Sequence, residues 1–302
     1  MASITPVVSA ITLSSGRQSI GRAMLSWIAA SATTSQVLMQ RPATFAARLR
    51  WWRERRRLSQ LELAGRADIS QRHLSFLELG RASPSREMVL RLAEALDVPL
   101  RQHNALLLAA GFAPAWREAT LAAPELAQVA RAVDYMLAQQ QPFPAVAVDR
   151  HWNLLKANPA AVCLVEFLVG PLPAGEPVNL ADALVAPHLL RPFLENWPQV
   201  ARYFIRSVEL DASSDGSDAT SALLERLLAY DGVRELVKGP ALDGSAPVLP
   251  MHFRKGETVL SLFTTIATLG TPSSVTAQEL RVESFFPADD ASAEVLRRWA
   301  RR

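Results

Sequence analysis

One cysteine in 302 residues is too few for a disulfide within the chain or for a multi-cysteine metal site. That residue, Cys163, lies in the apolar run AAVCLVEFLV, where a thiol acts as a small core hydrophobe. The five histidines (His73, His103, His151, His188 and His252) are scattered singly and read as local hydrogen-bonding or surface residues. There is no glycine-rich phosphate loop, zinc-ligand spacing or nucleophile elbow. An enzyme would therefore lack a recognisable convergent set of ionisable groups, and the expectation is no catalytic residue, no metal and no resident cofactor. Carboxylate pairs such as Asp289-Asp290 read as solvent-facing loop charge. Residues 1–40 hold no acidic residue, and their uncharged runs are broken by Ser, Thr and Gln, which argues against a membrane span. Scarce cysteine and no span predict a cytoplasmic protein without a membrane partner.

What is present is an uneven distribution of charge. The net charge is only +3, yet residues 41–118 carry 14 arginines against 8 acidic residues, while residues 119–302 carry 16 basic and 21 acidic ones. A basic segment of domain size is the electrostatic footprint of a phosphate-binding unit, and the acidic remainder must serve another purpose. Length allows about two domains. Residues 1–40 are expected to be a disordered or mis-assigned extension, with Met39 the more natural start, and to carry no function.

The basic segment centres on Leu58–Pro84, LSQLELAGRADISQRHLSFLELGRASP. Ser59 with Glu62 forms a capping box for a first helix that ends near Ala67. Asp68 sits at a sharp turn and tolerates a left-handed backbone. Ile69 re-enters the core, Ser70 caps a second helix over Gln71 to Leu79, and Gly80 stops it. Leu74 and Leu77 bury together, which leaves Gln71, Arg72 and Ser75 facing outward. Arg reads guanine and Gln reads adenine through paired hydrogen bonds in the major groove. Before the motif, Thr44 to Arg57 reads as a helix with Phe45, Leu49 and Trp52 inward. Arg48, Arg53, Arg55, Arg56 and Arg57 crowd its outside, some of them placed for phosphate. After it come a helix capped by Ser85 and another from Pro99 to Gly111, giving an all-α unit of five helices over 41–111.

The motif LSQLELA…DISQRHLSFLELGRASPS resembles the helix-turn-helix domain of the XRE (Cro/C1 repressor-like) family over residues 45–111. The resemblance implies phosphate contact by Gln60 and Arg81, with Ser70, Gln71, Arg72 and Ser75 in the DNA-facing set. Two positions depart from the family pattern: Asp68 replaces a common glycine, and Phe76 replaces a residue that is usually polar. Phe76 would touch a thymine methyl or lean on a neighbouring helix.

Residues 112–123 read as a linker. Beyond Pro124, a helix precedes a hairpin whose strands hold Val146 and Val148, then Asn153 to Ala157, with Arg150-His151 at the turn. Asn158-Pro159 starts the next helix. A helix from about Pro192 to Leu210 is followed by a polar break, DASSDGSDAT, and another helix. Three strands close the domain: VLPMHFR, TVLSLFTTIATL and ELRVESFF. This order predicts an α+β domain over 124–290, an antiparallel sheet with helices on one face and a PAS-like outline, followed by a basic helix or tail over 291–302. AVDRHWNLLKANPAA, LENWPQVA and TIATLGTP…ELRVESFFPAD are similar to the ligand-binding domain of MmyB-like transcription regulators. That likeness implies an apolar pocket for an acyl chain or similar lipid, such as a fatty acid. Trp197, Phe204 and Phe263 are candidate linings, and Arg202, with His252 as the alternative, is the candidate polar contact. The expected partners are double-stranded DNA, a small apolar effector and a second copy of the chain in a homodimer. The competing readings are a C-terminal domain that only dimerises or binds a protein, and a DNA-tethered enzyme.

Overall fold

The computed structural model describes residues 44–171, 177–215, 217–239 and 248–301. They form two compact units. One holds residues 44–120 together with Thr271–Gln278, and the other holds the rest. The expectation for residues 1–40 lies outside the described residues. Among the described residues no helix is long and apolar enough to cross a membrane.

The first unit is five helices: α1 (Phe45–Arg55), α2 (Gln60–Arg66), α3 (Gln71–Glu78), α4 (Arg86–Ala95) and α5 (Leu100–Ala109). Local chemistry sets their ends. The Ser59 side chain accepts from Glu62 N–H while Glu62 reaches back to the Ser59 N–H, which closes the capping box. Ser70 and Ser85 cap α3 and α4 by accepting from His73 and Met88. Asp68 takes φ +51°, the left-handed turn anticipated from its position between α2 and α3, and Gly80 takes φ +69° after α3. Leu49, Leu63, Leu74, Leu77, Leu92, Leu106 and Leu107 have no exposed surface and form the core.

Residues 112–120, expected as a linker, are built into this unit. Asn104 accepts from the N–H groups of Ala115 and Trp116 and donates to the Trp116 carbonyl at 2.7 Å. The distant segment Thr271–Gln278 joins them. The Thr276 hydroxyl donates to the Ala119 carbonyl at 2.6 Å, and the Arg117 carbonyl accepts from Val275 N–H. Pro99 gives α5 no side-chain cap, and Gln278 supplies one by accepting from Leu100 N–H at 2.8 Å.

The second unit is an antiparallel sheet of order β2-β1-β5-β4-β3. Its strands are β1 (Ala145–Val148), β2 (Leu154–Ala157), β3 (Met251–Lys255), β4 (Thr258–Ala267) and β5 (Arg281–Pro287). Around it lie α6 (Ala127–Gln139), α7 (Pro159–Val169), α8 (Leu180–Val185), α9 (Trp197–Asp215), α10 (Asp218–Leu228) and α11 (Val233–Val237). The short α12 (Val275–Glu279) lies between β4 and β5 in sequence and through Gln278 belongs to the first unit, and α13 (Asp290–Ala300) closes the second. The α+β, PAS-like outline is as expected, with one correction: helices cover both faces of the sheet. Val146 and Val148 pack into the large core with residues of α7 and α9, whereas Ala145, Ala147 and Val282 pack against Val133 and Leu137 of α6. Every residue of β1 is buried, and its alternating alanines let α6 approach closely.

Two further expectations are corrected. Instead of breaking after Leu210, α9 runs on to Asp215, and Asp215, Ser217 and Thr220 are buried. The Asp215 carboxylate accepts from Ser217 N–H at 2.6 Å and from the Thr220 hydroxyl at 2.7 Å, so this polar tract serves an interior. Asp289 is exposed but caps α13 by accepting from Ser292 N–H at 2.7 Å. The helix it starts is seated on the domain through Ala293 and Leu296.

Candidate functional site

α3 buries Leu74, Leu77 and Glu78 and leaves a polar side outward. Leu74 and Leu77 are fully buried, and Ser70, Gln71, Arg72 and Arg81 are exposed, with Ser75 half-buried. Four of the six expected DNA-facing residues are therefore open to solvent. Ser70 also holds the start of α3 through its cap. Gln60 is half-buried, and one of its amide N–H groups is drawn inward to Glu78 Oε2 at 2.8 Å. Phe76 is not among the apolar residues packed on the core of this unit; the Arg72 guanidinium lies 5.4 Å over its ring. The ring is a platform that limits where Arg72 points.

Of the arginines expected on the outside of α1 and just after it, Arg53 and Arg56 are engaged inside the domain. Arg53 pairs with Glu78 through two hydrogen bonds of 2.7 and 3.0 Å and donates to the Leu58 carbonyl at 2.9 Å. Arg56 donates to the carbonyls of Leu96 and Asp97, and Arg50 pairs with Glu54 at 2.7 Å. Arg55 sits 4.7 Å over the Trp51 ring. Much of what sequence presents as a phosphate-facing row therefore binds the domain to itself. The side chain of Glu78 is 3% exposed and collects Arg53 and Gln60 from two different helices.

In the second unit the sequence-derived residues divide. Trp197 is a core residue: its indole N–H donates to the Leu184 carbonyl at 2.9 Å and Arg191 covers its face at 3.7 Å. Arg202 donates to the Leu236 carbonyl at 2.9 Å, at the end of α11. Phe204 is half-buried on α9 against the large core. Phe263 does not join them. Leu260 and Leu262 face that core, so strand alternation turns Phe263 to the opposite face, where it stacks on Phe286 at 5.6 Å. His252 sits with its Nδ1 3.0 Å from the Ser261 hydroxyl.

Phe204 meets a residue that the sequence reading passed over, Trp152, edge to face at 4.6 Å. Trp152 ends the β1–β2 turn. Asp149 shapes that turn by accepting from the backbone N–H groups of His151 and Asn153, and Trp152 N–H donates to the Asp149 carbonyl. The guanidinium of Arg281 lies 5.6 Å over the Trp152 ring and pairs with Asp211 of α9 at 2.6 Å. Glu283, two residues along the same face of β5, is bonded to Thr264, and burial raises its carboxyl to about 7. In the same turn, buried Arg150 pairs with Asp215 and with Glu279, the latter at 2.9 Å. The available sequence signal was the turn itself: DRHWN places a large aromatic where a hairpin of this kind ordinarily takes glycine.

A helix-turn-helix with polar residues on its open side, followed by an α+β sheet domain, has the organisation of a two-domain DNA-binding protein. Comparison with known families agrees in both halves. Residues 49–102 match the helix-turn-helix family, and residues 129–298 match the MmyB-like transcription regulator ligand binding domain. The second match spans more than half of the chain, which belongs to that family. It is a DNA-binding transcription regulator with a ligand-binding domain. No curated protein matches the chain.

Proposed function

We propose that the chain acts in the cytoplasm as a homodimer that reads a two-part operator. Gln71, Arg72 and Ser75 enter the major groove, while Gln60, Ser70 and Arg81 hold the flanking phosphates. The observation that carries this is α3 itself: Gln71 and Arg72 are exposed on a helix whose opposite side is wholly buried. Binding is controlled by a small apolar effector, such as a fatty acid, held in the second unit. Support for control comes from the path of the chain. The DNA-binding unit includes Thr271–Gln278, a piece of chain supplied between β4 and β5 of the sensor sheet. A shift of those strands on effector binding passes along the chain to Gln278, whose side chain is hydrogen-bonded to Leu100 at the start of α5. By linkage, DNA then changes effector affinity by the same factor.

The test uses a duplex selected by the full-length protein from a random-sequence library. Its affinity should fall steeply as salt rises, because neutralised phosphates release counterions. Palmitate added to lipid-stripped protein should shift that affinity. A flat salt response would remove DNA reading, and a duplex affinity indifferent to every fatty acid tried would remove the apolar effector. Native mass spectrometry adds the stoichiometry: a monomer on the duplex would overturn the dimer.

A further inference from the structure

We propose that the indole N–H of Trp152 is the donor that holds the polar end of the effector, and that this end is a hydrogen-bond acceptor, a carboxylate or carbonyl oxygen. The inference rests on the effector-binding reading above and deepens it.

Three independent features single out this residue. It is 3% exposed, yet its Nε1 has no hydrogen-bond partner among the described residues. Buried polar groups are nearly always paired, and the contrast within the same core is direct: the indole of Trp197 donates to a backbone carbonyl. Trp152 also has φ +66°, in the left-handed region that costs any residue with a bulky side chain. The hairpin needs that conformation after its Asp149 turn, and glycine would take it without strain. A tryptophan there brings a large ring and a donor to one fixed point, and strain of this kind gathers where a ligand is clamped. Finally, the ring meets both Phe204, at 4.6 Å, and the guanidinium of Arg281, at 5.6 Å.

The chemistry of the surroundings selects the ligand. Arg281 is already neutralised by Asp211, so no unpaired carboxylate is offered to an amine by that pair. Glu283, bonded to Thr264, is held toward its protonated, donating form. An oxygen acceptor therefore finds donors, whereas a cationic head meets only carboxyls already paired with Arg281 or held toward the neutral form by burial. The aromatic wall suits an aliphatic body behind it.

The decisive comparison is wild-type full-length protein against Trp152→Phe, which keeps the ring and deletes the donor. Both are stripped of lipid and titrated by calorimetry with decanoate through palmitate and with the matching n-alkylamines. We expect the carboxylates to bind wild type and to bind Trp152→Phe at least tenfold more weakly, with the amines weaker than the acids on wild type. In nitrogen-15 spectra of tryptophan-labelled wild type, the indole resonance with a nuclear Overhauser contact to the Phe204 ring should move downfield on adding palmitate. Equal carboxylate affinity for the two proteins, amines binding as well as acids, or an unmoved indole resonance would overturn the proposal while leaving the apolar-effector reading intact. Wild type that binds none of these amphiphiles would overturn both. If Trp152→Phe does not fold, the wild-type resonance decides.

Discussion

The two units differ in how far along the chain the polar contacts that shape their elements reach. In the DNA-binding unit most of the capping and turn bonds that define the helices link residues within five positions of one another, as in the Ser59–Glu62 box, the Ser70 cap and the left-handed Asp68. In the sensor unit the decisive polar contacts come from far apart: Arg150 reaches Glu279, 129 residues downstream, and Asp215 at the end of α9. The first arrangement makes a stable platform whose outer face is free to vary. The second ties the hairpin, the long helix and the β4–β5 connection to one buried charge, so that a change at any of them is felt by the others. A platform and a sensor differ in this respect.

The largest expected effect breaks the sensor's half of this comparison. Arg150→Met leaves Asp215 and Glu279 buried without their cation, which should cost about 3–5 kcal/mol. Chemical denaturation of the full chain, followed by hydrogen exchange in each unit, should place the loss in the sensor unit. A loss below about 1 kcal/mol would mean that water or rearranged partners replace the arginine.

Next in size, Arg72→Ala should weaken binding to the selected duplex by about 1–3 kcal/mol and relax preference at one base pair. Equal loss on random DNA would make Arg72 a phosphate contact only. Phe76→Ala should lie between wild type and Arg72→Ala, because the guanidinium loses its platform rather than its donors.

A double variant, Thr276→Val with Gln278→Ala, removes the side-chain bonds that seat Thr271–Gln278 in the DNA-binding unit. Duplex affinity without effector should change by less than threefold, while the shift caused by palmitate should shrink. An undiminished effector response in anisotropy titrations would show that control does not travel along this segment.

The effects of pH run in opposite directions in the two units. Burial holds His103 below its ordinary range, so its contribution is present above the unfolded value of about 6.5 and is lost as pH falls through the folded one. Glu283 is raised to about 7, so its contribution is fully present below the unfolded carboxyl value of about 4.3 and is lost as pH rises toward 7. Hydrogen exchange between pH 5 and 7 should therefore show the DNA-binding unit gaining protection and the sensor unit losing it. His103→Gln and Glu283→Gln should each flatten the slope of their own unit. Parallel slopes in both units would contradict the assignment.

How much of this was legible in the sequence follows from the range of each interaction. Ser59, Asp68, Ser70 and Gly80 could be read directly, since capping and left-handed turns depend on neighbours within a few positions. Gln71 and Arg72 were legible for the same reason: once Leu74 and Leu77 face inward, helical geometry turns them out. Arg53 and Arg56 misled, because a charged row on a helix looks the same whether its partner is phosphate or a carbonyl forty residues away. Phe263 misled because a strand's facing depends on which alternate set the core takes, and both sets of β4 contain apolar residues. Trp152 was passed over because nothing within the turn reveals that its N–H is buried without a partner.

The sequence by itself determined the helix-turn-helix, its outward residues, and the hairpin and succession of strands in the second domain, all carried by spacing along the chain, while the likeness to a ligand-binding regulator came from resemblance of whole segments. Only tertiary structure decided which arginines are interior, that helices cover both sheet faces, that Asp215 and Glu279 meet Arg150, and that a piece of the sensor strand connection belongs to the DNA-binding unit. Those outcomes depend on distance in space between residues far apart in sequence, and burial makes each of them energetically decisive.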